Sequence, residues 1–126
     1  MANQPVILFS SLTTSSTDSN GRLLTFPYVS DKTTGCGYLG QTDPYHTVSY
    51  STTMGFTGIL KLQGSLSQTP QEGDWYDIDS TILGNGITSV FNQTLLINFK
   101  GNHVWIRAVL VKITAGQINS VLFTHN

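Results

Sequence analysis

The stretch Phe56-Thr57-Gly58-Ile59-Leu60-Lys61-Leu62-Gln63-Gly64-Ser65-Leu66 decides the fold class. In an extended chain Leu60, Leu62 and Leu66 fall on one face and Lys61, Gln63 and Ser65 on the other. Apolar on one side and polar on the other is the mark of a half-buried strand in an antiparallel sheet. Just upstream, Tyr45–Thr52 alternates in the same way: Tyr45, Thr47 and Ser49 face one side, His46, Val48 and Tyr50 the other. Downstream, Gln68–Asp74 reads as a polar loop and Trp75–Ile78 as a short strand.

Further out, short β-rich runs recur between turn signals, and helical spacing is absent almost everywhere. Pro5–Leu12 is the first run, and Asp18-Ser19-Asn20-Gly21 a turn before the second, Arg22–Val29. The glycine-rich Gly35-Cys36-Gly37-Tyr38-Leu39-Gly40 segment reads as a bulged strand or a loop where backbone meets backbone. Gly84-Asn85-Gly86 is another turn. The last part of the chain reads as a meander. Thr88–Phe99 runs up, Lys100-Gly101-Asn102 turns, His103–Thr114 runs back, Ala115-Gly116-Gln117 turns again and Ile118–Thr124 closes. About eight strands in a single domain, residues 1–126, point to an all-β, antiparallel, jelly-roll-like β-sandwich.

Composition narrows the function classes. Charged residues are only 10% of the 126, and the polar surface is supplied by 13 Ser, 17 Thr and 8 Asn. That is well below the roughly 25% charge of an average soluble protein. With six Lys and Arg against seven Asp and Glu, no basic stripe exists to neutralise phosphates, so no nucleic-acid partner is expected. No run approaches the ~20 apolar residues of a membrane-spanning helix. The N-terminus lacks the basic region of a signal peptide, which predicts a chain made and folded in a cytoplasm. A surface so poor in charge is weakly protected against association, as expected of one covered by partner subunits.

Candidate chemistry is sparse. His46, His103 and His125 match no local metal motif and read as sheet or interface histidines. Glu72, Asp74, Asp77 and Asp79 fall close together, a candidate Ca²⁺ loop; without EF-hand spacing a solvated acidic turn is the favoured reading. Cys36, the one cysteine, has no signature of a nucleophile around it and reads as a small buried residue. No Gly-x-Ser-x-Gly elbow or phosphate-binding glycine loop occurs. No enzyme and no cofactor are therefore expected. Among the aromatics, Tyr45 and Tyr50 are candidates for a protein interface, and Trp105, opening the most apolar strand, is expected in the core. Asp74 is expected to order its loop by accepting backbone N–H bonds. Arg107, in an otherwise apolar strand, needs a partner if buried, with Asp74 or Asp77 the nearest choices.

Two stretches carry a resemblance. One is Gly58-Ile59-Leu60-Lys61-Leu62-Gln63-Gly64-Ser65-Leu66, followed by Pro70 and Asp74-Trp75-Tyr76-Asp77-Ile78. The other is Asn98-Phe99-Lys100-Gly101-Asn102-His103-Val104-Trp105-Ile106-Arg107-Ala108, followed by Gly116-Gln117-Ile118 and Asn126. Together they resemble small β-sandwich structural proteins from the virions of tailed bacteriophages, in particular phages of cyanobacteria. The resemblance covers roughly the second half of the chain, and Asp74, Trp75, Trp105 and Arg107 are its structural motif. It implies a virion protein assembled in the host cytoplasm, with a capsid decoration or cement subunit as the leading expectation. A tail, baseplate or fibre component is the alternative, and a carbohydrate-binding module for host attachment the next. The implied partners are the major capsid protein or tail proteins and further copies of the chain, a trimer among the options, with a surface glycan under the last alternative.

Overall fold

The computed structural model describes residues 5–17, 20–39, 44–87 and 93–125, and only the backbone of Met54 and Gln93. Part of the Asp18–Gly21 turn, Gly40 and the start of the Thr88–Phe99 run lie outside the described residues. Seven strands are assigned: β1 (Val6–Thr13), β2 (Tyr28–Val29), β3 (Thr33–Thr34), β4 (Tyr45–Ser65), β5 (Tyr76–Asp77), β6 (Gln93–Lys100) and β7 (Trp105–His125). All pairings among them are antiparallel. Among the described residues no helix is long and apolar enough to cross a membrane.

β4 and β7 organise everything else. Each is 21 residues long, and they pair with each other along nearly their whole length. Their outer edges are filled differently at the two ends. Near His125 the order is β1, β7, β4, β6. Near Trp105 β2 and β3 lie in series on the edge of β7, and β5 lies on the edge of β4. Each half therefore has four strand positions, eight in all, and the sheet curls into a half-barrel. The expected all-β antiparallel class is what the chain adopts.

The two halves also face each other. A straight 21-residue strand would span ~65–70 Å. Yet the His46 ring lies 5.3 Å from the His103 ring, and a Cβ placed on Gly64 would come within 2.8 Å of that same His103. The two ends of β4 thus meet at one side chain, and β4 doubles back over a shared core. Val48, Tyr50, Phe99, Ile118, Val121 and Phe123 of the first half pack in one cluster with Leu60, Leu62, Ile106, Ala108 and Leu110 of the second. Tyr50 ties the layers by donating its hydroxyl to the Thr81 carbonyl at 2.8 Å.

The bend lies where the sequence suggested breaks. The expected strands Tyr45–Thr52 and Phe56–Leu66 merge into β4, which ends at Ser65, with register shifts between Thr53 and Gly58. Ala115-Gly116-Gln117 is no hairpin turn: β7 runs through it as a corner. Gly116 has φ 82°, and a Cβ there would meet the Phe56 backbone at 2.4 Å. Only glycine serves both demands. The inward set of β4 also differs at its end. The strand stops at Ser65, which is fully buried, and Leu66 turns out to 65% exposure. The glycine-rich Cys36–Leu39 segment is a single 3-10 turn, held by the Gly37 N–H donating to the His103 carbonyl at 2.8 Å.

Candidate functional site

The histidines, separate in sequence, come together where the two halves close. His46 points inward from β4, stacked 4.9 Å from Phe99 and 5.7 Å from Phe123. His103 and His125 lie 5.3 and 5.9 Å away, centroid to centroid. The Cys36 N–H donates to His46 Nε2 at 3.1 Å, so the neutral ring carries its proton on Nδ1. The Tyr76 hydroxyl lies 2.6 Å from His103 Nδ1. Burial raises the Tyr76 phenol further, so the group that meets His103 is a protonated hydroxyl. Backbone closes tightly over the cluster: a Cβ on Gly35 would meet the His103 carbonyl at 2.3 Å and His46 Nε2 at 3.2 Å.

This surrounding suppresses charge. Burial, then the neighbouring His103 and His125, pull His46 down to about 4, while the Phe99 and Pro44 carbonyls oppose the shift. Burial lowers His103 as well. At neutral pH His46 and His103 are therefore neutral packing groups. No group of three or more His, Cys, Asp or Glu among the described residues is placed to hold a metal ion. Cys36 is fully buried, as expected, and its thiol donates to the Tyr45 carbonyl at 3.3 Å.

The acidic residues diverge instead of converging on a cation. Glu72 reaches Arg107 at 3.8 Å. Asp74 accepts the Gln71 N–H at 2.8 Å and closes a capping box, the loop-ordering role expected of it. Asp77 takes Lys61 at 2.8 Å and the Gln63 amide at 3.0 Å, which together hold its carboxyl below the usual range. Asp79 opens a separate 3-10 turn. The proposed partners of Arg107 are thus corrected. Its Nε donates to Gln63 Oε1 at 2.9 Å, its guanidinium lies 4.2 Å over the Trp75 ring, and its ion pair is with Glu72.

Trp105 is not a core residue. It is half-buried beside Tyr38, ring to edge at 5.1 Å, and its Nε1 donates to the Gln68 carbonyl at 2.9 Å. Lys32 sits 4.9 Å over its ring. Trp105, Tyr38, Gln68 and Thr69 line an open cleft of about 400 Å³. Tyr50 is likewise corrected: it is fully buried and presents nothing to a partner. Tyr45 remains exposed, with Lys100 lying 4.6 Å over its ring.

The feature that sequence reasoning missed is the outer face of the first half. Register places Ile7, Leu122, Ser49 and Leu96 side by side in a row across all four strands. Ile7 is 66% and Leu96 63% exposed. The row is flanked on one side by Thr124, Thr47 and Asn98 and on the other by Ser10, Ser120, Ser51 and Thr94. Thr47, Ser49, Leu96 and Leu122 line a shallow groove of about 180 Å³. Within the four strand segments of this half the only Lys, Arg, Asp or Glu is Lys100, at the end of β6. The signal was present as Leu95-Leu96-Ile97, where an apolar residue occupies the polar phase of the alternation.

Comparison with known protein families, characterised proteins and solved structures finds no match to this chain.

Proposed function

We propose that this chain is a structural subunit of a tailed-phage particle, a capsid decoration or cement subunit that strengthens the shell by protein–protein contacts. The observation that carries the reading is the uncharged outer face of the first half, with its row of Ile7, Leu122, Ser49 and Leu96. Desolvating such a face strands no charge, whereas each buried unpaired ion costs several kcal/mol. Depletion of charge also marks the core of protein interfaces. The motif resemblance through Trp75, Trp105 and Arg107 supports the virion setting. The role needs no catalytic group.

The test is co-sedimentation with phage shells that lack the subunit. Saturable binding in a fixed ratio to the capsid protein is expected, with Ser49→Lys abolishing binding at unchanged melting temperature. Failure to bind shells, with binding to purified tails, would move the subunit to a tail, baseplate or fibre. One observation favours a second reading, sugar recognition for attachment: the Tyr38–Trp105 cleft sets two aromatic rings beside the uncharged Gln68 and Thr69. Quenching of tryptophan fluorescence by neutral oligosaccharides, lost in Tyr38→Ala, would support it.

A further inference from the structure

The two edges of the first half are built differently. β1, on one edge, is irregular. Its register with β7 slips between Ile7 and Phe9, and Ser11 has φ 52°, a conformation non-glycine residues rarely adopt. Bulges of this kind protect an edge from adding another strand. β6, on the other edge, has no such device. It matches β4 residue for residue from Gln93 to Lys100 without a shift. It contains no proline, and its single charge is at its last residue. Among the described residues it pairs with β4 alone. A regular, uncharged edge is a template for further pairing.

We propose that β6 pairs antiparallel with β6 of a second copy of this chain, about a twofold axis through Leu96, making one continuous sheet from the two first halves.

The occupant is a second copy because the strand complements itself in that register. Leu96, exposed at the edge, lies opposite Leu96 of the copy and continues the apolar row. Leu95 lies opposite Ile97 of the copy, and both are half-buried on the inner side against the core. Thr94 lies opposite Asn98 of the copy. The molecule already uses a Thr–Asn cross-strand pair: Thr47 on β4 donates to Asn98 Oδ1 at 2.7 Å. That contact leaves the NH₂ group, on the far side of the amide, to donate to Thr94 of the copy. The antiparallel direction sends the two Lys100 residues to opposite ends; a parallel pair would set them side by side, which is unfavourable. A twofold axis also closes the assembly at two copies along this edge. The proposal deepens the assembly reading and rests on it in taking the subunit to be a homo-oligomer.

The experiment is sedimentation of the full chain across a range of micromolar concentrations, with two substitutions at the axis. A reversible monomer–dimer equilibrium is expected. Leu96→Lys sets like charges opposite each other and should weaken dimerisation by about tenfold or more. Leu96→Cys should give a disulfide-linked dimer on mild oxidation, because directly opposite residues come within bonding reach. The parent chain, whose Cys36 is buried, should stay unlinked. The cysteine variant decides the matter if Leu96→Lys fails to fold. A chain that is monomeric throughout, or an oligomer that Leu96→Lys leaves intact and Leu96→Cys does not link, overturns the pairing. Unlinked chains that still bind shells in a fixed ratio overturn the pairing and keep the assembly reading. Linked dimers that ignore both shells and tails keep the pairing and overturn that reading.

Discussion

The two halves of the sheet share two strands and differ in what they show to water. β4 and β7 run through both, so the backbone is common. On the second half, the outer face carries Lys61 paired to Asp77 at 2.8 Å and Arg107 laid on Trp75 and reaching Glu72. On the first half, the same strands present Thr47, Ser49, Ser51, Ser120, Leu122 and Thr124. The charges of the second half are already paired within the molecule: Lys61 and Arg107 keep only 17% and 12% of their side chains exposed, against Asp77 and Glu72. Short hydroxyl and aliphatic side chains form a face that can be dehydrated at little electrostatic cost. The contrast supports the proposal that the first half is the face a partner would cover.

The largest expected effect comes from breaking the corner that joins the halves. Gly116→Ala combines a positive φ with a Cβ driven into the Phe56 backbone. It should cost more than about 3 kcal/mol or prevent folding. Gly73→Ala is the control, since nothing lies within 4 Å of the added Cβ; chemical denaturation should find it within about 0.5 kcal/mol of the parent.

Next is acid, which acts on the seam where the halves close. His46 titrates near 6.5 when unfolded and about 4 when folded. Between those values the unfolded chain binds the extra proton, so stability falls as pH drops from 6.5 through 4 and is fully retained above 6.5. The loss from His46 alone is about 3 kcal/mol, and His103, shifted the same way, adds to it. Denaturation midpoints measured against pH should show this slope. His46→Phe keeps a flat ring between Phe99 and Phe123 and should flatten the profile by about one proton, while lowering stability at neutral pH because the Cys36 N–H loses its acceptor. An unchanged slope would place the titration elsewhere.

The smallest effects sharpen the charged half. Arg107→Ala removes a bond to Gln63 and the stacking on Trp75 and should cost about 1–2 kcal/mol. Glu72→Gln should leave the melting temperature where it is, because that carboxylate is 93% exposed and surface pairs contribute little. If Glu72→Gln cost as much as Arg107→Ala, the ion pair and not the stacking would be what fixes Arg107.

Much of this was legible along the chain. Alternation through Tyr45–Thr52 and Phe56–Leu66 gave the inward residues Val48, Tyr50, Leu60 and Leu62, because each is set by neighbours two positions apart, whereas Ser65, read on the polar face, is fully buried. Asp74 as an organiser of its loop was legible for the same reason, its partner Gln71 being three residues away. The misplaced residues are those whose environment comes from elsewhere. Trp105 looked like core by its apolar strand, yet Tyr38, Lys32 and Gln68 draw it into a cleft. Tyr50 looked amphipathic until the opposite layer supplied the Thr81 carbonyl. Leu66 kept the even spacing of the strand, but the strand ended one residue earlier.

The sequence by itself determined the all-β class, the inward faces of the strands and the scarcity of charge, since these follow from local periodicity and composition. Only the tertiary structure decided that Gly116 is a corner and not a turn, that three distant histidines close the seam, and that Ile7, Leu122, Ser49 and Leu96 form one row. A strand alternates between two sides at every second residue whatever it packs against. Which strands lie beside it, and in what register, is settled only when the long β4–β7 pair folds over its own core.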